Sequence, residues 1–148
     1  MRKKAGMPGS EFEAVRHSLK AIVARYEGRG LAQNPADAQG DFTLVGPPTA
    51  ERPRREVWFG GVQMRKKYVS FHLMPVYVFP DLLDDASTEL KKRMQGKSCF
   101  NFTRMDQGLF HELSQLTDKG YHRFVEAGLI FRSVGSDEGM GSQPKSAT

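Results

Sequence analysis

Two side chains in this 148-residue sequence are of the types that act as a nucleophile and its base: Cys99, the one cysteine, and His72. A thiol turns nucleophilic when a neighbouring imidazole takes its proton and a third group holds the imidazole in place. His72 lies in the alternating run Lys67-Tyr68-Val69-Ser70-Phe71-His72-Leu73, and Cys99 lies in Lys97-Ser98-Cys99-Phe100-Asn101-Phe102. Paired as strands, the two runs can bring them together. No third residue is identifiable, and Cys99 sits in no recognisable elbow or helix N-terminus. A small side chain packed among phenylalanines is the commoner role for such a cysteine, so no catalytic residue is assigned.

Metal chemistry has equally thin support. Asp81, Asp84, Asp85 and Glu89 lie close enough in sequence to collect a hard cation. The glycine and terminal carboxylate of a calcium loop are missing, however. His17, His72, His111 and His122 show no zinc spacing. Turn and capping roles are the expectation for the acidic group, and no metal or cofactor is assigned.

The alternation itself carries more information. Val69, Phe71 and Leu73 point one way, and Tyr68, Ser70, His72 and Met74 the other. Phe100 and Phe102 likewise share one side, with Cys99, Asn101 and Thr103 opposite. If helices cover the phenylalanine side, the other face displays Tyr68, Ser70, His72, Cys99 and Asn101. Trp58 joins them unless Val57 and Phe59 are the outward pair. These six residues are the candidate binding residues: aromatic, hydroxyl, imidazole and amide groups on one face suit a small ligand or a base. Trp58, Tyr68 and Met74 equally suit a homodimer interface. Plain wetting of one sheet face is the third reading.

The net charge is +5, and basic residues cluster at Arg2–Lys4, at Arg52, Arg54 and Arg55, at Arg65–Lys67 and at Lys91–Arg93. Arg54, Arg55, Arg65, Lys66 and Lys67 would line one sheet edge and give salt-sensitive binding to nucleic acid. No RNP-type sequence, KH glycine loop or recognition helix accompanies them, so a solvated basic surface is the plainer reading.

The elements that must position these residues follow from punctuation and periodicity. Ser10-Glu11-Phe12-Glu13 is a capping box with Ser10 as N-cap. The stripe Phe12, Val15, Leu19, Ile22, Val23 and Tyr26 makes the first helix, stopped at Gly28. Residues 30–40 read as a loop and 41–45 as a short strand. The segment 57–63 reads as a strand with a bulge or bend at Gly60-Gly61. The clearest strand spans 67–79, with Pro75 marking an edge, a bulge or its end. Ser87 caps a short helix over 88–95, and 97–103 is a further strand. Asp106 caps a long helix striped by Leu109, Phe110, Leu113, Leu116, Tyr121, Phe124 and Val125, with a bend expected at Gly120.

The expected fold is therefore α+β: one domain over 10–130, an antiparallel sheet of about four to five strands, and both long helices on one face. Residues 1–9 and 131–148 are expected to be disordered tails. Hydrophobic residues at 39% and charged residues at 26% suit a globular chain. No apolar run is long enough to span a bilayer, no secretory leader is evident, and the lone cysteine excludes an internal disulfide. A cytoplasmic setting without membrane contact is the expectation.

From about Arg55 to Val125 the chain resembles the YdhG-like domains of unknown function. The residues that carry the likeness are Lys67–Leu73, then Leu82-Leu83, then Gly96-Lys97-Ser98-Cys99-Phe100-Asn101-Phe102, and finally Leu109, Leu113 and Leu116. Val57-Trp58-Phe59-Gly60-Gly61 departs from the hydrophobic phrase that usually precedes the family's glycine turn. The resemblance implies helices on one sheet face, an open opposite face and no catalytic residues. Some members bear an iron-chaperone label by analogy with frataxin, yet the outer side of the first helix is basic here, with Arg16, His17, Lys20 and Arg25. The expectation is a non-enzymatic binding or interaction domain that works as a homodimer through the open face. Small-ligand or metal handling, or weakly specific nucleic-acid binding, are the alternatives.

Overall fold

The computed structural model describes residues 8–47 and 56–130, with side chains from Glu11 onward. The basic groups at Arg2–Lys4 and at Arg52, Arg54 and Arg55 lie outside the described residues. So do residues 1–7 and 131–148, on which the expected tails fall.

The fold is α+β: one five-stranded antiparallel sheet with the N- and C-terminal helices against it, in a single compact domain. Helix α1 spans Pro8–Ala24. Pro8 opens it, as suits a residue with fixed φ and no N–H to leave unsatisfied in a first turn. Ser10 is thus a helical residue rather than the N-cap. The stripe Val15, Leu19, Ile22, Val23 and Tyr26 is buried as its spacing requires. Gly28, at a φ of +88°, ends the run in a conformation that a side chain would strain.

The strands are β1 (Ala32–Gln33), β2 (Phe42–Gly46), β3 (Val57–Met64), β4 (Val69–Leu73) and β5 (Cys99–Phe102), paired in chain order. The two-residue β1 falls within the stretch expected to be loop. In β3, Leu44 opposes Gly60 while Val45 opposes Trp58, so Phe59 is the extra residue of a β-bulge. The bulge turns both Val57 and Phe59 toward the core and leaves Trp58 half-buried on the other side. Gly60 and Gly61 are needed because neighbouring strands come close. A Cβ at Gly60 would strike the His72 carbonyl oxygen, and one at Gly61 would strike that of Phe42.

The long strand expected over 67–79 stops at Leu73. Met74–Val78 is instead a short helix, α2, with Pro75 in its first turn. Residues 65–68 form the β3–β4 turn, closed by the Arg65 N–H donating to the Tyr68 carbonyl at 2.9 Å. After a 3₁₀ turn at Pro80–Leu83 comes α3, Thr88–Lys91, shorter than the expected 88–95. Its N-cap is Ser87, whose hydroxyl accepts from the Leu90 N–H. The chain that follows runs along the outer edge of β5: Asn101 N–H donates to Arg93 O, and Gln95 N–H to Cys99 O, both at 2.8 Å.

Helix α4, Gln107–Glu126, is capped by Asp106 and passes Gly120 without a break. Gly120 is buried against Pro75 of α2: a Cβ there would lie 2.8 Å from the proline Cβ. The glycine marks a close crossing of α4 and α2, not the bend expected from sequence. Between the helices and the sheet, Tyr26 and Tyr121 stack at 4.8 Å, with Phe59 5.6 Å and 5.9 Å from them. Phe102 meets Phe110 edge-on at 5.0 Å, and Phe71, Phe100, Leu113 and Leu116 complete the core.

The close crossing sets opposite signs for two alanine substitutions in α4. Gly108→Ala, with ordinary room for a Cβ, should be neutral or stabilising by up to ~1 kcal/mol. Gly120→Ala must displace Pro75 and should be destabilising by about 1 kcal/mol net, as overpacking outweighs the gain in helix propensity. Urea denaturation of both variants checks the pair.

Candidate functional site

The sheet face away from the helices is where sequence reasoning placed function. Over β2 this face is closed. Thr43 is fully buried beneath the loop that follows β1, its N–H donating to Asp37 Oδ2 at 2.7 Å and its hydroxyl to Asp37 Oδ1. Asp41 of the same loop accepts from the Met64 N–H at 3.1 Å. The polar part of the face that is not covered by this loop lies over β3–β5, where Ser70 is buried and Gln63, His72, Cys99 and Asn101 are half-buried.

There the register brings four of the six candidate residues together. Ser70 stands opposite Asn101, and His72 opposite Cys99. The Ser70 hydroxyl donates to Asn101 Oδ1 at 2.9 Å, and the Cys99 thiol donates to the same oxygen at 3.3 Å. Asn101 Oδ1 thus takes two donors, which turns the amide nitrogen away from them as a donor. Gln63, opposite Ser70 on β3, holds Arg65 Nη2 at 2.7 Å through its Oε1. Arg65 is exposed, and its charge is felt by both His72 and Cys99.

Trp58 and Tyr68 do not join this group. Gly61 is the residue opposite His72, and Trp58 lies three positions further along β3, about 10 Å away at the usual strand rise. It lines a groove beside α2 with Met74, Tyr77 and Leu129. Tyr68 belongs to the β3–β4 turn, half-buried, with Arg65, Lys66 and Lys67 exposed around it. Arg54 and Arg55 lie outside the described residues, so of the basic group only this turn is placed.

The electrostatics of the cluster oppose a thiolate–imidazolium pair. Burial, with Arg65 acting the same way, holds His72 below its ordinary value of 6.5, and Asp41 opposes them. Burial also pushes the Cys99 thiol up, against the Ser70 hydroxyl and the Arg65 charge. An ion pair would do the reverse, lowering the thiol and raising the imidazole. The Sγ–Nε2 separation of 4.0 Å matches a neutral contact.

The acidic group considered for a metal is spread out. Asp81 is held by Arg123 Nη2 at 2.9 Å and 3.0 Å, and that guanidinium also lies 4.5 Å from the Phe79 ring centre. Among the described residues, no three histidine, cysteine or acidic side chains converge to hold a metal ion. No described helix is long and apolar enough to cross a membrane.

Sequence reasoning missed Gln63 and the Asp37 clamp, both of which depend on pairing between distant residues. It also missed α2, for which Pro75 was a readable signal, since proline opens helices as readily as it ends strands. The chain matches no protein-family model, no curated protein and no solved structure.

Two outcomes follow from the site. Cys99 should be alkylated slowly in the native protein, with a pH profile displaced above that of a free cysteine, and rapidly once the chain is unfolded. Iodoacetamide kinetics with and without urea test this. For His72 the unfolded chain binds more protons than the folded one between the two pKa values. The stability of the neutral ring is thus complete above pH 6.5 and is lost as the pH falls through the lower, folded value. Urea titrations on either side of that pH should show the loss, and His72→Gln should reduce it.

Proposed function

We propose that this protein is a non-enzymatic binding domain and that the half-buried polar side of its sheet, across β3–β5, takes a small acceptor-rich ligand bearing a carboxylate or phosphate. The observation that carries this reading is the donor arrangement at Asn101. Its Oδ1 is occupied by Ser70 and Cys99, which leaves the amide nitrogen as a donor on the same sheet face as Gln63, which holds the Arg65 guanidinium two strands away. His72, held neutral, adds a ring nitrogen that can donate without the cost of burying a charge. Hydrogen bonds from charged and amide donors to an anion are the stronger kind. Kinship with the YdhG-like domains belongs to the same proposal, supported by the helices-on-one-face layout that the resemblance implies.

A second reading extends the ligand to a nucleic-acid strand, favoured by the exposed Arg65, Lys66 and Lys67 of the β3–β4 turn. The two readings differ in salt dependence. Phosphate contacts along a strand give an affinity that falls steeply with salt, whereas a single anion gives a shallow slope.

The test is an NMR titration of the labelled full chain with citrate, inorganic phosphate and a short single-stranded oligonucleotide. Shifts should centre on the Asn101 side-chain amide and on His72. Arg65→Gln, at an exposed position, should weaken binding about tenfold or more while leaving the melting temperature in place. If none of the three probes moves the Asn101 amide, or if Arg65→Gln leaves the affinity intact, the reading fails.

A further inference from the structure

The basic group Lys91–Arg93 leads into the segment that runs along the outer edge of β5. That segment is antiparallel to β5, with Met94 opposite Phe100. Residues directly opposite each other share a face, and successive residues alternate between faces. Phe100 is fully buried and Met94 packs against the core, so alternation sets Arg93 and Gln95 on the polar side. Arg93 then stands beside Asn101, its carbonyl accepting from the Asn101 N–H at 2.8 Å, and Gln95 stands beside Cys99. Both Arg93 and Gln95 are exposed. One row of the polar side therefore runs from Gln63 on β3 through Ser70 and Asn101 to Arg93 on the edge. At about 4.8 Å per strand, Gln63 lies about 10 Å from Asn101 and about 14 Å from Arg93.

The two ends of this row carry its charge. At one end Gln63 Oε1 holds Arg65 Nη2. At the other, Asn101 Oδ1 is turned toward the Ser70 hydroxyl on β4, so the amide nitrogen faces the outer edge, where Arg93 stands. Among the described residues, neither arginine has a carboxylate within ion-pair distance. The middle of the row, Ser70, is buried and uncharged.

We propose that the row binds an elongated dianion, with two carboxylate or phosphate groups about 10 Å apart, one held by Arg65 and the other by the Asn101 amide and Arg93. This rests on the ligand reading above, and it adds Arg93 as a binding residue and a length for the ligand. Guanidinium groups match carboxylates and phosphates in a two-pronged geometry, which an amide or a lysine does not supply. Two separated anchors also select by length. A short dianion satisfies one end and leaves the other arginine hydrated, whereas a long one makes its second contact within the same complex.

The test is an NMR titration of the labelled full chain with unbranched dicarboxylates from succinate to sebacate. The Asn101 side-chain amide and the arginine Nε–H groups serve as reporters. Sebacate, whose extended chain sets its carboxylates at the required separation, should bind about tenfold or more tighter than succinate. Nonanoate, of similar length with one carboxylate, should bind no better than succinate. Arg93→Gln and Arg65→Gln, both at exposed positions, should each reduce sebacate to the affinity of succinate without moving the melting temperature. Equal affinity at every length overturns the proposal and leaves the ligand reading standing, as does a sebacate preference that survives Arg93→Gln. Nonanoate binding as tightly as sebacate assigns the affinity to apolar contact and overturns the proposal too. If neither the dicarboxylates nor citrate and phosphate shift the Asn101 amide, the ligand reading itself fails and the dianion with it.

Discussion

The bulge at Phe59 is the constraint on which the rest of the domain depends. A strand alternates strictly, so without an extra residue Phe59 would share the face of Gly61 and Gln63 and leave the core. The bulge resets the phase within β3, allowing Val57 and Phe59 to point inward together with Val62. Phe59 then completes the aromatic group of Tyr26, Tyr121 and Phe124, which joins both long helices to the central strand. Aromatic pairs of this geometry are each worth about 0.5–1.5 kcal/mol beyond the area they bury. Tyr26, in the turn that follows α1, also donates its hydroxyl to Asp118 at 2.7 Å, binding that turn to α4. Burial and that carboxylate push the phenol well up, so the tyrosine stays a donor.

The same bulge separates the two surfaces of the molecule. Beyond it toward the β3–β4 turn, the outward residues are polar, and β4 and β5 extend that set with Ser70, His72, Cys99 and Asn101. Before it, the outward residue is Trp58, at the end of β3 where β4 no longer pairs. There the chain leaves β4 as α2 and supplies the apolar wall opposite. One strand thus serves a polar, hydrogen-bonding surface at one end and an apolar groove at the other.

How much of this was legible in the sequence depended on the range of the forces involved. Helices α1 and α4 followed from apolar stripes, and the β4–β5 face followed from period-2 alternation. These patterns repeat often enough to survive local exceptions. The caps Ser87 and Asp106 were equally readable, since each bonds an N–H three residues away. The failures came where a residue's meaning lies in a distant partner. Gly120 reads as a helix weakness until Pro75, 45 positions earlier in the chain, is seen against it. Thr43 reads as an ordinary strand residue until the Asp37 carboxylate is found bonded to it. The grouping of Ser70, His72, Cys99 and Asn101 was recovered because face parity needs only the strand boundaries. Trp58 does face away from the core, but its place along β3, beyond the extra residue at Phe59, sets it apart from that grouping.

The segment Met74–Val78 shows why propensity alone misleads here. Valine and tyrosine favour strands, and the run Met-Pro-Val-Tyr-Val directly continues one. Two circumstances override that preference. Pro75 lacks the N–H that a continued ladder would need, while its fixed φ suits a first helical turn. The packing partner is Gly120, whose missing side chain allows the proline ring to approach α4 closely. A helix places only part of its circumference against that contact, so Pro75 and Val76 go inward while Tyr77 and Val78 remain outside. In a strand, alternation would have put Val76 and Val78 on a common side, and the adjacent Tyr77–Val78 ridge would not exist. The exposed apolar patch is therefore a direct result of a proline and a glycine meeting between two helices, not of a strand left uncovered.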